Sequence, residues 1–122
     1  MLAANTGHTM RTNLFAILFA ISLIAASNSA YAGFWTSTKL MQHLEEDMRG
    51  AATYEVGVES GYIMGIFDLA DGVLVCAPDG VSLKQVKMVV FNHMKEHPEL
   101  WSNFADQSVI KALQSTWPCA KK

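Results

Sequence analysis

The sequence predicts a small all-α fold, a single-domain bundle of about four helices stapled by one disulfide. Two observations favour this class. Apolar residues recur at helical spacing in four segments, and turns rich in glycine, proline and aspartate separate these segments. All four lie within residues 33–122, which provide enough chain for one domain and too little for two.

The charge balance of the chain excludes one class of partner. The 122 residues carry a formal net charge of −2 at pH 7, and residues 33–122 carry −3 because Arg11 is the one charged residue before them. Nucleic-acid binding proteins instead show clustered lysine and arginine in excess, so nucleic acid is not an expected partner. A domain of this size has a thin core, which a disulfide or a second chain would help to stabilise.

The first 32 residues are interpreted as a secretory signal peptide. Arg11 precedes an apolar run over residues 14–26, and Ala30-Tyr31-Ala32 has the small-x-small form that signal peptidase cleaves. A membrane anchor is the alternative, but the apolar run is shorter than the roughly 20 residues that a spanning helix needs. We therefore expect an exported protein with no membrane association after cleavage. Met10 is a possible true translation start.

The two cysteines are expected to form a disulfide. Cys76 and Cys119 both follow the predicted signal peptide, and an even cysteine count in an exported domain favours pairing. A catalytic thiol is the alternative, but turn residues follow Cys76 directly, in the order Ala-Pro-Asp-Gly. A metal pair has no CxxC spacing to support it.

The first two helices are predicted over residues 37–48 and from Tyr54 to about Ala70. In the first, one apolar stripe is capped by Ser37 or Thr38. Its members are Leu40, Met41, Leu44 and Met48. In the second, three glycines recur at every fourth position and are expected to let another backbone approach closely. They are Gly57, Gly61 and Gly65.

The last two helices are predicted on either side of Pro98. Ser82 and Gln85 form a capping-box pattern that starts the third helix, and this helix ends near His97 because a proline follows. Pro98 suits the first position of a fourth helix, which Trp117 and the following proline terminate. Between the second and third helices, residues 73–77 are predicted as a short extended run and residues 78–80 as a turn.

The motifs from the second predicted helix onward occur in a recognisable order. They are GYxxGxxD at residues 61–68, CxPxGVSxxQ at 76–85, HPE at 97–99, Ala-Leu at 112–113 and Trp-Pro-Cys at 117–119. This ordered set resembles the Rap/Tai family of immunity proteins, which protect against type VI secretion amidase effectors. The motif residues are Gly61, Tyr62, Gly65, Asp68, Pro78, Gly80, Gln85, His97, Pro98, Glu99 and Pro118.

The resemblance implies a function as well as a fold. Members are small, helical, periplasmic and commonly homodimeric, and they bind and occlude a peptidoglycan amidase, so that the cell resists its own and its siblings' effector. For this chain it implies a Rap/Tai-like domain over residues 33–122, with no catalysis and no cofactor. Asp68, Asp71 and Asp79 are the candidate contacts with the amidase. Many members carry a second cysteine pair. At the corresponding places this chain has Leu44 and residues 58–60, none of which is a cysteine.

Each motif residue also has a purely structural interpretation. Gly61 and Gly65 would serve helix packing, Tyr62 would be a core aromatic, and Ser82 with Gln85 would cap a helix. The HPE motif would then mark a helix junction. If so, the motif records how the fold is built, and recognition is carried by other surface residues.

Other functions are weighed against immunity. A small periplasmic stress chaperone, or a family member with a different binding role, would also suit the size and helicity. A metal site is conceivable because His93 and His97 share a helical face, but no third ligand has a placed position and the pattern is not HExxH. Five methionines are expected to fill the core rather than to bind metal. They are Met41, Met48, Met64, Met88 and Met94.

Overall fold

Four α-helices and one short 3₁₀-helix make up the protein in residues 33–121, the part that the computed structural model describes. The α-helices are α1 (Ser37–Met48), α2 (Tyr54–Ala70), α3 (Leu83–Glu96) and α4 (Ala105–Thr116), and the 3₁₀-helix is Pro98–Ser102. Across this range the β-structure is limited to two isolated bridges. The predicted all-α class with about four helices is confirmed, and the predicted signal peptide lies outside the described residues.

Side chains cap the first three helices at their N-termini. The Thr36 hydroxyl accepts from the backbone N–H of Lys39, so α1 is capped one residue earlier than predicted. At the start of α2, the Thr53 hydroxyl accepts from the backbone N–H of Val56. Ser82 and Gln85 form the predicted capping box at α3, which satisfies two N–H groups that the helix cannot pair internally.

The region after Pro98 differs from the prediction of one continuous fourth helix. Asn103 and Phe104 have extended backbones and separate the 3₁₀-helix from α4. The cause is a pairing with the segment before α1: Ser37 N–H donates to the Asn103 carbonyl, and Ala105 N–H donates to the Trp35 carbonyl, each at 2.9 Å. These long-range backbone bonds replace the helical ones that the sequence pattern favours locally.

The core lies where all four helices meet. Its fully buried side chains include Leu40, Leu44, Ile63, Val90, Met94, Val109 and Leu113. Burial of side chains of this size is the main favourable term that holds such a bundle together. The expectation that five methionines fill the core holds for Met41 and Met94, and it is wrong for the other three. Met48, Met64 and Met88 are exposed at the surface.

The predicted disulfide between Cys76 and Cys119 is present. It joins the loop between α2 and α3 to the segment that follows α4. The predicted extended run over residues 73–77 is wrong, because the backbone closes into turns there. The N–H groups of Val73, Leu74 and Val75 all donate to the Ala70 carbonyl, and Gly72 has a φ of +75°, a conformation that glycine adopts without strain.

Candidate partner-binding site

The loop of residues 71–81, here called the stapled loop, is held at several points. The disulfide ties it to the C-terminal segment, and Cys76 N–H donates to the Trp117 carbonyl at 2.9 Å. The Gln114 side-chain amide donates to the Leu74 carbonyl at 3.2 Å. Within the loop, an Asp71 carboxylate oxygen accepts from Ala77 N–H at 3.1 Å. A loop ordered in this way loses little conformational entropy when a partner binds.

Apolar side chains are exposed on and beside the stapled loop. Leu69, at the end of α2, has 82% of its surface exposed, and Val73 has 74%. Leu74 is also exposed, whereas the neighbouring Val75 is completely buried and anchors the turn. We call Leu69, Val73 and Leu74 the apolar tip. Clustered exposed apolar groups on a soluble domain are typical of an interaction surface.

The three aspartates proposed from the sequence flank this tip along the chain. Asp71 begins the stapled loop, Asp79 lies in its final turn, and Asp68 lies one helical turn before Asp71; all three are exposed. None of them forms an ion pair with another residue in the range 33–121. Asp68 also lines a cavity of about 170 Å³ between α2 and the start of α3. The site therefore combines an apolar centre with unpaired negative charge.

Most other motif residues build the fold. Pro78 and Gly80 belong to the turn before α3, where Gly80 has a φ of +79°. Gln85 belongs to the capping box, and Pro118 follows the end of α4. At the predicted helix junction, Pro98 begins the 3₁₀-helix and the His97 Nδ1 lies 2.9 Å from a Glu99 carboxylate oxygen.

The two histidines considered as metal ligands lie against each other. The rings of His93 and His97 have centroids 4.4 Å apart. Burial, followed by the neighbouring His97, lowers the pKa of His93 below 6.5. Between residues 33 and 121 there is no group of three histidine, cysteine or acidic side chains that could hold a metal ion. Nor does any helix there combine the length and the apolar character needed to cross a bilayer.

The glycines of α2 do not pack closely against another part of the described chain. A Cβ atom built on Gly57, Gly61 or Gly65 would meet no described neighbour within 4 Å. All three lie on the exposed side of α2. By contrast, the interpretation of Tyr62 as a core aromatic is confirmed, because its ring packs at 5.3 Å from that of Trp35 and against the core cluster.

A buried cluster of charged residues joins α1, α2 and α3, and the sequence analysis missed it. Lys87 Nζ lies 2.6 Å from a carboxylate oxygen of Asp47 and 3.6 Å from one of the fully buried Glu59. It also donates to the Ser60 hydroxyl at 2.8 Å. The signal was available, since Glu59 and Lys87 both fall on the apolar stripes of their helices, where a charge requires a partner.

The carboxyl of Glu59 is incompletely satisfied in this cluster. Its Oε1 is buried and has no hydrogen-bond partner among the described residues. Burial raises the pKa of Glu59 above its usual value of 4.5, and the positive charge of Lys87 opposes the rise. The folded state therefore binds this proton more tightly than the unfolded state does. The stability gained is fully present below pH 4.5 and is lost as the pH rises through the raised pKa.

Glu59→Gln is expected to remove this pH dependence, because an amide does not ionise. The variant should gain stability relative to the unsubstituted protein as the pH rises from about 4.5 to about 8. Urea denaturation at intervals across this range measures the difference. Glu45→Gln, at an exposed position of α1, is the matched control. A stability difference between Glu59→Gln and the parent that stays constant with pH would contradict the prediction.

The sequence comparisons agree with this architecture. No curated protein matches the chain. The family model described as Rap1a immunity proteins matches residues 36–119. This match begins at the cap of α1, ends at the second half-cystine, and includes all four helices and the stapled loop. The chain belongs to the Rap1a immunity protein family.

Proposed function

We propose that this protein is a periplasmic immunity protein that binds a type VI secretion peptidoglycan amidase and occludes its cleft. Family membership supports an immunity function against a type VI secretion effector. The observation that supports a particular binding surface is the apolar tip, which is exposed on and beside a loop fixed by the disulfide and by backbone hydrogen bonds. The protein acts by binding and takes no part in catalysis.

The site suggests how binding and recognition are divided. A peptidoglycan amidase needs a cleft that admits a peptide stem, and apolar side chains on a pre-ordered loop are suited to fill one. Buried apolar anchors provide most of the affinity of such a contact. Asp71 and Asp79, on the same loop, would mainly increase the rate of association and select a partner of complementary charge.

Two further features belong to this proposal. The signal peptide over residues 1–32 would direct the protein to the periplasm, where an amidase meets peptidoglycan. The protein would act as a homodimer, as the resemblance to Rap/Tai proteins implies, so that both copies can contribute to one inhibitory complex.

Val73→Asp is expected to weaken amidase binding at least about 30-fold, which corresponds to about 2 kcal/mol for a residue at the centre of an interface. The substitution places a charge in the apolar tip without touching the core, so the fold should persist. Phe34→Asp is the matched control, because Phe34 is likewise highly exposed, at 83%. Phe34 precedes the segment that pairs with the start of α4, whereas the stapled loop is bonded to the end of α4.

Calorimetric titration of the purified amidase with each variant measures this difference, and the same mixtures report inhibition of peptidoglycan hydrolysis. The proposal predicts that an amidase gene lies beside this one, and its product is the partner to use. Equal weakening by Val73→Asp and Phe34→Asp would show that the apolar tip is not the binding surface. Failure of the unsubstituted protein to bind at micromolar concentration would remove the amidase proposal itself.

A further inference from the structure

A cavity of about 170 Å³ lies between α2 and the start of α3, and its lining is apolar except for one carboxylate. The lining residues are Met64, Phe67, Val81, Leu83, Val86 and Asp68. Phe67 and Asp68 directly precede Leu69 of the apolar tip, and Val81 is the last residue of the stapled loop. The cavity is therefore continuous along the chain with the surface proposed to bind the amidase.

The walls of this cavity are already fixed in the free protein. Val86 is buried in the core cluster, and the Phe67 ring packs edge-to-face against that of Trp117, with centroids 6.3 Å apart. Leu83 is the first residue of α3, where the capping box holds the backbone. Met64 is the most exposed of the apolar lining residues, and its flexible side chain can adapt to an occupant. A cavity formed in advance loses little entropy when it is filled.

The size and the lining of the cavity restrict what can occupy it. Pockets for small molecules usually measure about 300–1,000 Å³, so this one suits a single side chain of a partner better than a free ligand. An apolar side chain would match the walls, but it would remove water from the Asp68 carboxylate without providing a partner, which is unfavourable. Lysine and arginine have an apolar stem that ends in a cation. Either side chain matches both the walls and the carboxylate.

We propose that this cavity receives a lysine or arginine side chain of the amidase, with its stem against the apolar walls and its cationic end paired with Asp68. The inference rests on the proposed function and names what the partner contributes to the contact. The apolar tip enters the cleft of the amidase, and a basic side chain of the amidase enters this cavity. Contacts in both directions fix the register of the complex and select for an amidase with a basic residue at that place.

Asp68 is available for such a pair. Its carboxylate has no ion pair or hydrogen bond to another residue in the range 33–121. It lies in the last turn of α2, where the helix dipole disfavours a negative charge. Asp68 therefore does not stabilise its own helix. A residue that conflicts with the local rules of the fold is expected where a functional contact requires it.

Chemical labelling of the amidase identifies the basic residue. Acetic anhydride modifies lysine and phenylglyoxal modifies arginine, and peptide mass spectrometry locates the modified positions. The amidase used for the calorimetric titrations would be labelled alone and in complex with the unsubstituted protein. We expect at least one lysine or arginine of the amidase to be protected in the complex.

A double-mutant cycle then tests the pair. Asp68→Asn is expected to weaken amidase binding about 10-fold, because a charge-assisted hydrogen bond is lost. The fold should persist, since the change removes a charge that the helix dipole disfavours. Each protected amidase residue is replaced with methionine in turn, and one of these variants should lose a similar factor. That variant and Asp68→Asn together should bind no more weakly than either alone.

Glu55→Gln is the matched control for the loss of one negative charge. Glu55 is exposed in the first turn of the same helix and does not line the cavity. Its replacement should change the affinity for the amidase by no more than about twofold, because long-range effects of single exposed charges are screened by salt.

Three results would overturn the cavity while leaving the proposed function in place, since the unsubstituted protein binds the amidase in each. They are an unchanged affinity of Asp68→Asn, the absence of any protected lysine or arginine, and losses that multiply to about 100-fold for every pair of variants. Failure of the unsubstituted protein to bind at micromolar concentration would instead remove the proposed function, and this inference with it.

Discussion

Replacing Cys76 and Cys119 with serine is expected to lower the free energy of unfolding by about 4 kcal/mol. The two cysteines are 43 positions apart, and cross-linking a loop of that length restricts the unfolded chain. The loss would be large for this domain, because its core is small and small domains have little stability in reserve. The substitution should also loosen the stapled loop, since the disulfide is one of its main attachments.

Urea denaturation with and without reductant measures the effect of the disulfide. The unsubstituted protein should lose stability when reductant is added, whereas the double serine variant should be unaffected by it. This second result is the control for unrelated effects of the two substitutions. A double variant that loses less than about 1 kcal/mol would mean that native packing alone holds the loop to the end of α4.

Lys87→Met is expected to lower the free energy of unfolding by about 3 kcal/mol, because it leaves the buried Glu59 carboxyl without its cation. This value is at the lower end of the destabilisation that follows when one partner of a buried ion pair is removed. The reason is that Glu59 can take up a proton and so avoid a buried, unpaired charge. For the same reason, the destabilisation should be smaller in acid than at pH 8. Methionine retains the unbranched shape and all but one atom of the lysine side chain, so lost packing contributes little.

Lys84→Met is the matched control for this substitution. Lys84 lies one turn before Lys87 on α3, and both side chains line a cavity of about 460 Å³. Lys84 is exposed, however, and forms no ion pair within residues 33–121. Its replacement should change the free energy of unfolding by no more than about 0.5 kcal/mol. Equal losses from the two variants would show that the buried cluster does not depend on the Lys87 charge.

The local features of the fold were predictable from the sequence. The capping box at Ser82 and Gln85, the turn around Gly80 and the ends of α1, α2 and α3 all depend on residues close together in the chain. The residues that determine such features lie within a few positions of one another in the sequence. The disulfide was also predictable, because two cysteines in one domain allow a single pairing.

The features that depend on distant residues were not predictable in the same way. The separation of the 3₁₀-helix from α4 comes from backbone bonds to Trp35 and Ser37, more than 60 residues earlier in the chain. The glycine spacing in α2 indicated a helix contact, but the pattern alone does not tell whether the neighbour is in the same chain. Likewise, the run at residues 73–77 was recognised as apolar, while the exposure of Val73 depends on how the turns close.

The absence of the second cysteine pair found in many Rap/Tai proteins has a structural counterpart here. The first two helices have no covalent link in the described residues, and Leu44 is instead buried in the core. About one helical turn further along α1, Asp47 pairs with Lys87 of α3, which also contacts Glu59 and Ser60 of α2. These polar contacts and the core packing join α1 to the rest of the bundle.

Neutralisation of the amidase in the periplasm tests the proposed function most directly. Cells that export a candidate type VI secretion amidase would be compared with and without this protein, and lysis would be followed over time. We expect the protein to prevent lysis when residues 1–32 are present and to fail when they are removed. Among variants that retain residues 1–32, Phe34→Asp should prevent lysis and Val73→Asp should not. Continued lysis in the presence of folded, exported protein would contradict an immunity function against this amidase.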